Sequence, residues 1–173
     1  MSYIIETQWQ TKAGLPSIVI MNTIGFRCGY VGVPATHPLY GVNYGKVSEA
    51  LLNEDGEQTT PEAEFNVHGG LTFSGWAGLL SEDCQDFWWF GFDCGHAYDL
   101  PSPEYIAKIS AISPISAGLY DQKMGVHRSN EFVQQHCEEL AMQLVIKVLF
   151  PTGIQASWDW LAWFMSRMKR EEL

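Results

Sequence analysis

The chain has 173 residues, of which 46% are hydrophobic and 13% aromatic, and its formal net charge is −10. This length and composition predict one domain over residues 1–173 with a substantial core, and they exclude a disordered chain. No apolar run approaches the ~18–20 residues of a membrane span, and the start MSYIIETQWQ lacks the pattern of a signal peptide, so we expect a cytoplasmic protein without membrane contact.

The excess of acidic residues is confined to the central third of the chain. Between Lys46 and Lys108 there are twelve Asp or Glu residues and no Lys or Arg. Phosphate contacts need clustered cations, so direct nucleic-acid binding through this region is not expected. A metal ion, a basic partner protein or ordinary solvated acidic loops are all compatible with this charge.

The N-terminal third is predicted to form extended strands. Residues 3–9 and 17–23 are rich in β-branched and aromatic side chains, and the Ala-Gly-Leu-Pro sequence between them predicts a turn. We therefore expect a hairpin. FRCGYVGVP, residues 26–34, predicts a third strand. His37 follows it in a loop and is biased toward an extended conformation by Pro38.

The middle of the chain alternates between polar and strongly apolar segments. Residues 41–64 form a variable region with one short helical candidate, KVSEALLNE, followed by a polar stretch. EFNVHGGLTFSGW predicts two strand pieces joined at His68 and its two glycines. FWWFGFDC, residues 87–94, is a near-continuous apolar run and predicts a central strand buried on both faces.

Helices are predicted mainly at the C-terminal end, over residues 129–173. For EYIAKISAISPISAGLY, residues 104–120, the β-branched isoleucines favour a strand, although their three-residue spacing also suits a helix. Apolar residues at three- and four-residue intervals predict an amphipathic helix that Ser129 or Asn130 caps. A second, Trp-rich helix is predicted from about Ala156, and its apolar surplus suggests a homodimer contact. The predicted class is α+β: an antiparallel or mixed β-sheet with two C-terminal α-helices packed on it.

Candidate chemistry lies on three loops at predicted strand ends, which carry His37, His68 and His96. Around His96 the sequence D-C-G-H-A-Y-D adds Asp93 and Asp99. Zinc and manganese are held by mixed His and carboxylate ligands, and three protein ligands leave a position for water. We predict a divalent metal site with His68, Asp93 and His96 as ligands. His96, Asp99 and His37 are the catalytic candidates, with Asp99 as a fourth ligand or as the carboxylate that orients His96.

Three alternatives remain open for the same residues. Without a metal, Asp93 or Asp99 can orient His96 as a general base. Cys94 can act as a nucleophile, although the alternation of the strand favours a core position for it. In a purely structural interpretation, the two aspartates cap turns and His96 fills a hydrogen-bonded niche.

Three blocks of the chain carry a resemblance to a known family. RCGYVGVPATHPLYG, NVHGGLTFSG and WWFGFDCGHAYD together resemble a family of small proteins found in bacteriophages and bacterial genomes. Its pattern is G-Y-V-x-V-P with H-P-L-Y-G, then V-H-G-G-L-T, then G-F-D-C-x-H. The resemblance implies no particular activity, but it places the family motifs on the three histidine loops.

Two functions from different classes follow. The first is a metal-dependent hydrolase that acts on a phosphate-containing or other small polar substrate. The second is a non-enzymatic binding protein of phage type that captures a basic host protein through its acidic middle, as an inhibitor of host defence or a nucleic-acid mimic. A small-molecule-binding protein that uses the same histidine loops without turnover is a third possibility.

Overall fold

The computed structural model describes residues 3–76, 86–113, 118, 120 and 125–149. These residues form an α+β fold with a five-stranded sheet, two small two-stranded sheets and three helices, which confirms the predicted class. The strands are β1 (Ile4–Gln10), β2 (Pro16–Met21), β3 (Arg27–Pro34), β4 (Ser48–Leu52), β5 (Gln58–Thr59), β6 (Phe73–Trp76), β7 (Phe87–Asp93), β8 (Asp99–Leu100) and β9 (Val126–His127). The helices are α1 (Pro61–Glu64), α2 (Pro103–Ile112) and α3 (Asn130–Leu149).

The large sheet is antiparallel throughout, in the order β1-β2-β3-β7-β6. The predicted hairpin is confirmed as β1 and β2, and its turn contains Gly14 at a φ of 81°. A second turn joins β2 to β3, where the Asn22 side chain accepts hydrogen bonds from the amides of Ile24 and Phe26. These two short connections keep the first three strands adjacent in the sheet.

Strand β7 is the predicted apolar run, and it lies between β3 and β6. Its side chains alternate between two cores. Phe90 and Phe92 face the core shared with α3, whereas Trp89 joins the opposite core with Ile18 and Ile20 of β2. The prediction of a central strand buried on both faces is therefore confirmed.

Helix α3 is the predicted amphipathic helix, and it packs on one face of the sheet through a stripe of buried side chains: Val133, Cys137, Leu140, Ala141 and Leu144. The Ser129 hydroxyl accepts a hydrogen bond from the Phe132 amide at 3.2 Å and caps the helix. Gly29 of β3 makes the close packing possible, since a Cβ atom there would lie 2.7 Å from the Cys137 sulfur. This contact places the helical turn around Cys137 over Gly29, near the start of β3.

Three secondary-structure predictions were wrong. Of the two strand pieces predicted on either side of His68, only the second forms a strand, β6, since residues 65–67 have no regular structure after α1. Residues 48–52, predicted as part of a helix, form strand β4 because they pair with β5 in a hairpin. Residues 103–112, for which a strand was favoured, form helix α2. Ser102 accepts a hydrogen bond from the Tyr105 amide and Pro103 occupies the first turn, so helix-start signals outweigh the β-branched isoleucines.

The predicted Trp-rich helix and its dimer contact lie outside the described residues. Among the residues that the structure describes, no helix combines the length and the apolar character that a membrane crossing needs.

Candidate metal site of two histidines and an aspartate

Asp99 is at the centre of the site. It is the first residue of β8, which pairs in parallel with β9, so that Asp99 lies opposite Val126. Its side chain is fully buried, with 0% exposure. A carboxylate in such a place needs partners for both oxygens, because an unpaired buried charge is strongly destabilising.

Both oxygens of Asp99 have those partners. Oδ2 accepts a hydrogen bond from His68 Nε2 at 2.7 Å and one from the His96 amide at 3.1 Å. Oδ1 accepts one from Arg128 Nε at 2.6 Å. Burial alone would raise the pKa of Asp99, but these hydrogen bonds outweigh burial and hold its pKa below the ordinary value. Asp99 is therefore an anion at neutral pH.

Arg128 is positioned from two directions. It follows β9 directly and precedes the cap of α3. Its carbonyl oxygen accepts a hydrogen bond from Arg27 Nη1 at 2.6 Å, and Arg27 is itself paired with Glu6 at 2.6 Å. The Arg128 guanidinium lies 5.0 Å from the ring centre of Phe132, a cation–π contact. These contacts hold the Arg128 guanidinium against the Asp99 carboxylate.

His96 lies beside Asp99 in the loop after β7. Its Nδ1 atom is 3.7 Å from Asp99 Oδ2 and 4.0 Å from Asp93 Oδ1, and it is buried without a hydrogen-bond partner among the described residues. Gly69 defines the place of the ring, because a Cβ atom at position 69 would lie 2.0 Å from His96 Cε1. Gly69 is thus needed for the imidazole of His96 to fit, because any side chain at this position would collide with it.

The structure therefore brings together one potential ligand atom each from His68, His96 and Asp99, all within 4.8 Å of one another. The rings of the two histidines meet edge to face, with centroids 5.4 Å apart. Two imidazoles and a carboxylate are a common ligand set for zinc and for other divalent transition metals. The site can also act without a metal, with Asp99 orienting the imidazole of His68 as a base.

The other two predicted site residues, Asp93 and His37, are not part of this group of three. Asp93 Oδ1 accepts the Gly95 amide at 2.9 Å, and the carboxylate lies outside the group of three. His37 is at the opposite end of the sheet: Pro34, three residues before it, pairs with Phe87, whereas Cys28 pairs with Asp93. At about 3.3 Å per residue, the two ends of β3 are roughly 20 Å apart.

His37 is half-buried against the end of α3, whereas Cys94 is a core residue. His37 Nε2 donates to the Leu144 carbonyl at 3.3 Å, and its Nδ1 accepts the Leu39 amide. Burial lowers the pKa of His37, although the Leu144 carbonyl opposes this effect. Cys94 is 1% exposed, and burial raises its pKa to about 12, so its thiol is a poor nucleophile at neutral pH.

Two residues at the site were missed by the sequence analysis. Neither Arg128 nor His136 was among the predicted site residues. The His136 ring lies 4.6 Å from that of Phe132 and 6.0 Å from that of His68. Burial lowers the pKa of His136, whereas the nearby Glu139 opposes this effect. The only sequence signal was the four-residue spacing of Phe132 and His136, which places both on one helix face.

Comparisons with known proteins find no matching family model, no matching curated protein and no matching solved structure.

Proposed function

We propose that the protein is a hydrolase that uses one divalent metal ion, zinc or manganese, held by His68, His96 and Asp99. The observation that carries this proposal is the convergence of His68, from the turn before β6, with His96 and Asp99, from the segment after β7, around a fully buried carboxylate. His96 Nδ1 supports it independently, because a buried imidazole nitrogen without a partner is costly unless something binds it.

The distances suit a small cation. Zinc binds nitrogen and oxygen at about 2.0–2.1 Å, so two ligand atoms on one ion are at most about 4.2 Å apart. Asp99 Oδ2 is 2.7 Å from His68 Nε2 and 3.7 Å from His96 Nδ1, both inside that limit. The whole group lies within 4.8 Å, so the imidazoles would have to rotate to reach ligand distances at the same time.

The ion would replace a proton. Asp99 is ionised, so the hydrogen between it and His68 belongs to the imidazole. The atom that binds a metal must carry no hydrogen, so this hydrogen would have to leave His68 Nε2 when the ion binds. Arg128 keeps its contact with the other oxygen of Asp99, which fixes the carboxylate as metal ligands require.

A bound divalent ion with three protein ligands keeps a position for water and lowers the pKa of that water toward neutrality. Hydrolysis of an ester or phosphodiester then needs no nucleophile from the chain, in agreement with the burial of Cys94. A phosphate-containing or other small polar substrate is the proposed class.

The activity is tested with zinc-loaded and manganese-loaded protein on bis(p-nitrophenyl) phosphate and on p-nitrophenyl acetate. We expect metal-dependent turnover that His68→Gln and His96→Gln reduce at least a hundredfold. His37→Gln is the matched control, since His37 lies at the far end of the sheet, and we expect it to keep the wild-type rate. Turnover that is equal with and without metal, or equal in all three variants, would refute the proposal.

Capture of a basic protein is the second candidate function. It is favoured by the tip of the β4–β5 hairpin, where Glu54, Asp55 and Glu57 are all exposed. This candidate predicts salt-sensitive binding to a basic protein such as cytochrome c. Reversal of the three acids to lysine should abolish that binding, and His96→Gln should not affect it. Binding that ignores the three acids would contradict this function.

A further inference from the structure

A cleft adjoins the proposed metal site on the other face of the sheet. It has a volume of about 440 Å³, within the range of small-molecule sites. Phe26, Tyr30 and Phe73 are among the residues that line it, as are Asp93 and Gly95, which precede His96 in the chain. Asp93 Oδ1 is 4.0 Å from His96 Nδ1, so a molecule in the cleft reaches the neighbourhood of the candidate metal ligands.

The wall of the cleft is aromatic and held in place by packing. The rings of Tyr30 and Phe73 meet edge to face, with centroids 5.5 Å apart and an interplanar angle of 84°. Gly91 allows Tyr30 to lie flat on the sheet, because a Cβ atom there would be 2.4 Å from the tyrosine ring. Such rings favour flat apolar groups and cations that lie against their faces.

The charge of the cleft is negative. No lysine or arginine is among the described residues that line it. Burial, followed by the charge of Asp93, raises the pKa of the Cys28 thiol to about 11, and burial also raises the pKa of Tyr30, so both groups are neutral near pH 7. Asp93 is 37% exposed, and its carboxylate is held by the Gly95 amide, so it is available to a ligand. The net charge of −10 also attracts cations to the protein.

From this combination we infer that the cleft binds an arylalkylamine, a molecule with an aromatic ring and a protonated amine on a short alkyl chain. The ammonium group is paired to Asp93 and the ring lies against Tyr30 and Phe73. This assigns Asp93 to ligand binding and not to the metal. The inference deepens the proposed function by naming the substrate class, a hydrolysable derivative of an arylalkylamine. The inference rests on the proposed hydrolase function only for the cleavage of the bound molecule. Binding of the molecule in the cleft needs no metal.

Tryptamine is the probe, and indole-3-propionate is its anionic counterpart of similar size. Isothermal titration of the full chain should show tryptamine binding and no indole-3-propionate binding. Asp93→Asn should weaken tryptamine binding at least tenfold, and Phe73→Leu should also weaken it. Asp55→Asn, the same change on the exposed hairpin tip, should have no effect. Circular dichroism verifies that each variant folds.

The inference is overturned if folded wild-type protein does not bind tryptamine at millimolar concentration, if both probes bind equally, or if Asp93→Asn binds tryptamine as the wild type does. A zinc titration of the same samples separates this result from the proposed function. Tryptamine binding without zinc binding would support the cleft and refute the metal site. Zinc binding without tryptamine binding would refute the cleft and leave the metal site standing.

Discussion

Replacing Gly69 by alanine should remove His96 from the site. The backbone φ at Gly69 is 71°, and a Cβ atom there would lie 2.0 Å from Cε1, 2.3 Å from Nε2 and 2.4 Å from Nδ1 of His96. These separations are far below contact distance, so the whole imidazole has to move. A metal site that depends on His96 would then lose one of its three protein ligands.

Gly70 provides the matched control. Its φ is 86°, and a Cβ atom at that position would meet nothing within 4 Å. Both alanine variants therefore bear the same backbone cost of about 1–2 kcal/mol for a left-handed conformation. Only Gly69→Ala adds the collision with His96.

The assays are thermal denaturation for stability and competition with a chromophoric chelator for zinc affinity. We expect Gly70→Ala to lower Tm by about 2–8 °C, at roughly 2–4 °C per kcal/mol for a chain of this size, with zinc affinity near that of the wild type. Gly69→Ala should be less stable still and should bind zinc at least ~10–100-fold more weakly, the loss known for disturbed ligand support. Equal zinc affinity in the two variants would refute the assigned role of His96.

Three further predictions concern single buried groups. Asp99→Asn leaves Arg128 without its anionic partner and should cost about 3–5 kcal/mol in the free energy of unfolding; a loss below ~1 kcal/mol in urea denaturation would contradict the buried pair. The folded-state pKa of His37 is below its ordinary value of 6.5, so its contribution to stability is complete above pH 6.5 and is lost as pH falls through the folded pKa. The difference in stability between wild type and His37→Gln should therefore change as pH falls below 6.5, and a constant difference would show that His37 is not buried. Burial raises the pKa of Cys94 and of Cys137 to about 12, so alkylation mapped by mass spectrometry should modify both only after unfolding, and modification of either in the native protein would contradict its burial.

Local signals in the sequence predicted the sheet and helix α3 correctly. The β1–β2 hairpin has a turn signal between two β-branched runs, and α3 has a capped apolar stripe. In both elements the deciding interactions are between residues close in the chain. Helix α2 shows the limit of such signals, since the β-branched isoleucines favour a strand whereas the Ser102 cap and Pro103 favour the helix. In α2 the capping residues outweigh the intrinsic β preference of isoleucine.

The candidate site could be predicted only in part. His68, His96 and Asp99 were recognised because glycines and strand ends surround them in the sequence. The assignment of Asp99 as the central carboxylate depends on Arg128, which is 29 residues away and meets it through the parallel pairing of β8 and β9. Nothing in the local sequence indicates a pairing of two strands of only two residues each.

The separation of His37 has a similar cause. The His37 loop and the His96 loop both follow strands, and the sequence alone does not reveal whether those strands are parallel. Because β3 and β7 are antiparallel, their C-terminal ends point to opposite sides of the sheet. Only the strand order reveals this separation.

The most direct test of the central claim is the metal stoichiometry of protein purified without a histidine tag. After equilibrium dialysis against zinc, elemental analysis should find about one equivalent in the wild type and in His37→Gln, and little in His68→Gln and His96→Gln. Wild-type protein that is folded and retains no zinc or manganese, or variants that all retain one equivalent, would contradict the assignment of His68, His96 and Asp99 as a metal site.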